Sequence, residues 1–276
     1  MHYPFLSFLA FLFSCVAVLS AADPAKPYYE KLDNPSFLAA QPVWPQNLET
    51  EKNLLVGFRT QVQNPKSNNV VLRITGSTLY RIFLNGRFIG HGPARGPHGY
   101  YRVDEWNLGR ELWNEKNILA IETAGYNVNS YYLLDQPSFL QAELLVDGQV
   151  AASTAGQGQP FEAAVLTSRV QKVQRYSFQR PFIEYYRLDS SWDAWRHVPA
   201  AAFPTVECTV TSAKNLLPRR IPYPDFSLRP PLTVLSQGKL TSQEAPAQLW
   251  KDRSLTNIGP ALKGFPEGEL ELVLSS

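Results

Sequence analysis

At 276 residues the chain is long enough for one large domain or two smaller ones, each with its own core. Hydrophobic residues make up 44% and charged residues 18%, a globular composition, and the formal charge of +2 is nearly balanced. The basic residues are scattered and their densest pair, Arg219-Arg220, is flanked by prolines, so the basic face that a nucleic-acid partner requires is missing.

The first 22 residues hold no Lys, Arg, Asp or Glu. Phe5 to Ala22 is an almost unbroken apolar run that ends in Ser20-Ala21-Ala22 before Asp23-Pro24. Small residues at that junction predict a signal peptide over residues 1–22, cleaved after Ala22. Cys15, in Leu12-Phe13-Ser14-Cys15, is similar to a lipoprotein box. The run also has about the minimum length for an uncleaved anchor. All three alternatives imply export, to the periplasm or the extracellular space, and cleavage would leave no membrane segment. After cleavage only Cys208 remains, so the fold must rest on its core rather than on an internal disulfide. Between Val206 and Val210 this thiol reads as a small buried hydrophobe.

A lead-in, residues 23–54, precedes a series of predicted strands. Asn69 to Thr75 is short and β-branched, and Leu79 to Leu84 alternates with Tyr80, Ile82 and Leu84 on one face. Asn85-Gly86 then predicts a type I′ hairpin into Arg87-Phe88-Ile89, because both central residues of that turn need positive φ. Ile118 to Thr123 is another strand, and Leu140 to Ala152 repeats the hairpin pattern about Asp147-Gly148. Phe161 to Val165, Val170 to Phe178 and Phe182 to Leu188 complete the series, and Ser190 to Trp195 suits a single helical turn. Short strands at even spacing predict an all-β, antiparallel jelly-roll sandwich over residues 55–214. Five prolines between Pro218 and Pro231 predict an extended linker over residues 215–232. Residues 233–276, with the alternating Glu269 to Leu274, read as the truncated start of a second β domain, or as a strand added back onto the first sheet.

The segment from Leu79 through Asn85-Gly86-Arg87 to Gly90 resembles the galactose-binding-like sandwiches attached to glycoside hydrolases. Gly92-Pro93-Ala94-Arg95-Gly96-Pro97, Tyr100-Tyr101, Val103-Asp104 and Asn117-Ile118-Leu119-Ala120-Ile121-Glu122 follow in order, as does Leu217-Pro218-Arg219-Arg220-Ile221-Pro222. Together they resemble the N-terminal domain region of bacterial α-L-rhamnosidases, over roughly residues 55 to 235. That resemblance implies a parent activity, inverting hydrolysis of terminal α-L-rhamnose, carried by carboxylates on an (α/α)₆ barrel that this sequence does not contain. The chain departs from the family's Gly-Trp-Tyr cluster, with Ala124-Gly125-Tyr126-Asn127-Val128-Asn129-Ser130-Tyr131-Tyr132 in its place.

An inverting glycosidase holds two carboxyl groups about 6.5–9.5 Å apart. Asp104 and Glu105 are strand neighbours that point to opposite faces, and Glu184, Asp189 and Asp193 read as solvated groups at strand ends. No catalytic residue is therefore assigned. His91 and His98 lack further partners at metal-ligand spacing, so no metal and no cofactor is assigned either. Sugars offer C–H faces to aromatic rings and hydroxyls to planar polar groups. Arg95, His98, Tyr100, Tyr101, Trp106, Tyr126, Asn127, Asn129 and Tyr131 fit such a carbohydrate-binding surface, or an interface toward the missing barrel. The same aromatics also fit a sandwich core. The leading expectation is a non-catalytic accessory portion of a secreted rhamnosidase-like enzyme, partnered by that barrel and by a rhamnose-containing glycan. The alternatives are a freestanding exported carbohydrate-binding module and the front end of a β-galactosidase-like glycosidase.

Overall fold

The computed structural model describes residues 35–173, 175, 179–227, 229–230, 232–241 and 269–275. The predicted signal peptide with Cys15 lies outside the described residues. Among them, no helix is long and apolar enough to cross a membrane.

Two sheets face each other. The larger contains β1 (Val43–Pro45), β3 (Val70–Gly76), β6 (Tyr100–Asn107), β8 (Leu140–Val146), β9 (Gln149–Ser153), β10 (Gln159–Pro160), β12 (Cys208–Val210) and β13 (Asn215–Pro218). Its order is β10-β9-β8-β3-β6-β13, with β1 joining β8 to β12. The smaller sheet runs β11 (Glu162–Val165), β2 (Leu54–Gln63), β7 (Lys116–Gly125), β4 (Leu79–Leu84), β5 (Arg87–Gly92). Most pairs are antiparallel; β10–β9 and β13–β6 are parallel. The fold class is the expected all-β sandwich.

Both predicted hairpins form. Asn85 and Gly86 have φ of 54° and 79°, Asp147 and Gly148 of 50° and 78°, the left-handed values a type I′ turn needs. Asn85 also ties its hairpin to β7: its Oδ1 accepts from the Ile118 amide at 3.0 Å.

Trp44, Phe58, Leu72, Ile74, Ile82, Leu119, Ile121 and Leu144 fill the space between the sheets. The smaller sheet is also buried on its far side. Leu55 and Ala124 meet Val173 and Phe182 there, and Phe83, Ile118 and Ala120 meet Trp195. The described residues between 166 and 206 thus form an outer layer over that sheet. Gly57 makes room for it, since a Cβ at this position would stand 2.9 Å from the Trp195 ring.

The outer layer differs from expectation. Val170 to Phe178 and Phe182 to Leu188 are not strands among the described residues; only isolated bridges, Arg169 to Tyr186 and Arg175 to Phe182, join them. Val173 and Phe182 pack down onto a sheet face, with Val170 and Tyr185 against them, instead of entering a ladder at its edge. The predicted helical turn is a 3-10 turn, Ala194–Arg196.

The lead-in contributes β1, and the Pro-rich segment begins with β13 on the edge of β6. Beyond it, β14 (Val234–Thr241) and β15 (Glu269–Ser275) pair antiparallel as a separate two-stranded sheet.

Candidate functional site

Loops after β5 and β7, together with the starts of β4, β6 and β8, lie at one end of the sandwich. The register requires this: Leu79 pairs with Ala124, Tyr80 with Gly92, and Gly76 with Leu140. The Gly-Pro loop and the Tyr126 loop, some thirty residues apart in sequence, therefore meet. Arg95 lies over the Tyr132 ring at 5.3 Å, and the Tyr101 hydroxyl donates to Gln136 at 3.1 Å.

The nine sequence-selected residues divide by environment. Arg95, His98, Tyr100, Asn129 and Tyr131 are exposed, Tyr131 at 74%. Tyr101 is half-buried, its ring edge-on to Phe139 at 4.7 Å, and burial raises its phenol pKa. Tyr100 and Tyr101 thus alternate as neighbours on a strand must. Tyr131 and Tyr132 are both exposed, because they sit in a bend rather than a strand.

Trp106, Tyr126 and Asn127 are buried. The Trp106 indole donates to the Tyr80 hydroxyl at 3.0 Å, and its ring is covered by Tyr223 and Phe226. Tyr126 lies under Arg169, whose guanidinium is 5.1 Å from the ring centre. Asn127 has a φ of 45°, donates to the carbonyls of Glu49 and Glu51 and accepts from Ser138, so its amide fastens the lead-in to the loop.

The loop is held from below. The Asn129 carbonyl accepts from Arg175 at 2.9 Å, its side chain accepts from the Asp135 amide, and the Tyr131 hydroxyl accepts from Gln179 at 2.9 Å. Sequence reasoning did not select Tyr132 or Gln136. The signal for Tyr132 was the Tyr131-Tyr132-Leu133-Leu134 run, whose apolar density reads as core although Leu134 is 39% exposed. The resulting surface carries two exposed tyrosine rings, Tyr131 and Tyr132, with the Arg95 guanidinium over the second, a set able to take C–H faces and hydroxyls together.

The carboxylates are engaged otherwise. Asp104 and Glu105 do face opposite ways: Asp104 is fully buried, whereas Glu105 is exposed and pairs with Arg73 at 2.9 Å. Burial raises the Asp104 pKa against hydrogen bonds from Tyr80 and Arg219 that lower it. Asp189 accepts from the Ser191 amide and hydroxyl, which lowers its pKa. Glu184 accepts from the Tyr186 hydroxyl at 3.1 Å. His91 packs edge-on to Phe226 at 5.0 Å. Among the described residues no group of three His, Cys, Asp or Glu side chains is arranged to hold a metal ion.

No protein-family model and no curated protein matches the chain. Among solved structures it is similar to a GH78 family rhamnosidase of Bacillus sp. GL1, at 23% identity and a TM-score of 0.61, over 75% of this chain and 22% of that one. It is less similar to an α-L-rhamnosidase from Aspergillus terreus, at 16% identity and a TM-score of 0.47, over 65% of this chain and 22% of that one. The rhamnosidase of Dictyoglumus thermophilum gives 13% identity, a TM-score of 0.41 and coverage of 79% and 25%. This chain therefore has the β-sandwich fold of one portion of a GH78 rhamnosidase, a portion that makes up 22% of the Bacillus enzyme.

Proposed function

We propose that the chain is the non-catalytic accessory β-sandwich portion of a secreted α-L-rhamnosidase-like glycoside hydrolase. The likeness of fold to the Bacillus rhamnosidase supports the relationship. One observation supports the non-catalytic reading: each buried carboxylate among the described residues pairs with an arginine of another segment. Asp104 pairs with Arg219 at 3.0 Å. Glu122 pairs with Arg81 and Arg196. Glu143 pairs with Arg73 and accepts the amides of Leu38, Ala39 and Ala40. A carboxyl so held ties segments together, which supports a structural role for it over a catalytic one.

In this reading the exposed loop-end residues Arg95, His98, Tyr100, Asn129, Tyr131 and Tyr132 meet either a rhamnose-containing glycan or the catalytic part of the same enzyme. The exposed rings favour contact of one kind or the other over a purely structural role. The full chain incubated with an aryl α-L-rhamnoside should release no more aryl alcohol than buffer does. Enzymatic release that survives repurification would overturn the proposal.

A further inference from the structure

The Pro-rich segment after β13 has the composition of a linker, yet its side chains enter the sandwich. The Arg219 side chain is only 8% exposed. Its Nη1 donates to Asp104 Oδ1 at 3.0 Å, while Nε and Nη2 donate to the connector's own carbonyls at Ile221 and Pro222. One guanidinium thus folds the connector around itself and anchors it to a fully buried carboxylate. The far side of that carboxylate accepts from the Tyr80 hydroxyl, which in turn accepts from Trp106.

Tyr223 adds a second attachment. β13 stops at Pro218, opposite Val103, so among the described residues the next stretch of the β6 edge has no strand beside it. There the Glu105 amide donates to the Tyr223 hydroxyl at 2.9 Å, and that hydroxyl donates to the Glu105 carbonyl at 2.7 Å. A phenol takes the place of a strand and covers the open edge. Its ring lies between the Arg219 guanidinium, 4.1 Å away, and the Trp106 ring, 4.3 Å away. Phe226 closes the far end against Phe88, His91 and Trp106. Gly90 and Gly92 admit this packing: a Cβ at Gly90 would strike the Trp106 ring, and one at Gly92 would strike Asp104 and Tyr80.

We propose that residues 219–226 form a built-in strap, fastened by the Arg219–Asp104 pair and the Tyr223 hydroxyl, that fixes the direction in which the chain leaves the sandwich. The strap runs along β6 from Val103 toward Trp106, away from Tyr100 and the exposed aromatic loops. Whatever follows is held by the connector instead of swinging on it.

Trypsin cleavage of the full chain after Arg220, timed by mass spectrometry, tests this against a synthetic peptide of residues 214–227. Cleavage in the folded protein should be at least about a hundredfold slower than in the peptide, because a closed segment is cut only from its opened state. Arg219→Met, which keeps the Arg220 site, should speed cleavage about tenfold or more, since it leaves a buried carboxylate without its cation. Tyr223→Phe keeps the ring and should speed it severalfold, roughly what two lost hydrogen bonds allow. Should Arg219→Met fail to fold, Tyr223→Phe and the wild-type comparison still decide. Wild-type cleavage as fast as in the peptide would overturn the strap. So would a rate that Tyr223→Phe leaves unchanged, or one that a folded Arg219→Met leaves unchanged.

Discussion

The sandwich interior and the layer on its outer face are both buried, but different chemistry holds them. The interior is aliphatic and aromatic, supplied by alternate residues of hydrogen-bonded strands, as with Leu119 and Ile121 of β7. The outer layer, read over the described residues between 166 and 206, has no ladder of its own and is fastened by arginines on rings. Arg59 lies 4.3 Å from the Phe203 ring centre, Arg196 lies 4.2 Å from Phe83 and 4.7 Å from Trp192, and Arg169 covers Tyr126. Backbone without strand partners needs other donors, and a planar guanidinium supplies several while its face stacks on an aromatic. Arg175 does both, donating to the carbonyls of Asn129 and Arg180 beside the Phe182 ring. The difference implies two tiers of stability: a cooperative sandwich, and a layer that can loosen without it.

The largest effect should come from the interior. Phe58 is fully buried, and Phe58→Ala should cost about 3–5 kcal/mol and lower the whole unfolding transition, as read by urea denaturation. Removing the outer layer's anchor should cost less and act locally. Arg196→Leu leaves Glu122 with Arg81 alone, and a loss of about 3 kcal/mol, the low end for a broken buried pair, should appear as faster amide exchange in 190–206 with β2 and β7 unchanged. Gly57→Ala sharpens the comparison, because its Cβ meets the Trp195 ring and not the interior. A cost of about 1–3 kcal/mol, with a shifted Trp195 side-chain resonance, is expected from such overpacking.

The strap gives a pH-dependent counterpart. Burial already raises the folded-state pKa of Asp104 above its ordinary value, and loss of Arg219 removes interactions that lower it. A carboxyl whose folded pKa is raised keeps its stability below the unfolded pKa and loses it as pH rises through the folded one. Urea midpoints of Arg219→Met should therefore approach wild type in acid and fall away from it toward neutrality. The smallest effect should be at the loop end, where Tyr131→Ala is expected to change stability by no more than about 0.5 kcal/mol in thermal unfolding.

What the sequence made legible follows from the same contrast. The two hairpins could be read because positive φ restricts the residues that fit, Asn85-Gly86 and Asp147-Gly148. β2 could not, since Leu54 through Thr60 are all buried, Val56 and Phe58 inward and Leu55 under the outer layer, so no period of two remains. The outer layer read as strands because its Val, Phe and Tyr residues carry β propensity whether or not a partner strand exists. Trp106 and Tyr126 entered the sequence-selected set because an aromatic suits a core and a sugar platform equally, and only burial separates the two. The strap was hidden by distance: Arg219 and Asp104 are 115 residues apart, and local composition reported only the prolines between which Arg219 lies.

Native-state hydrogen exchange across the full chain tests the two-tier account most directly. Amides of β2, β7, β3 and β8 should exchange only through global unfolding. The outer layer's cross-links, Val170 to Tyr185 and Arg187 to Ser168, should open at lower free energy and without denaturant dependence. Equal protection of both sets, rising and falling together with denaturant, would contradict the account and make the sandwich and its outer layer one cooperative unit.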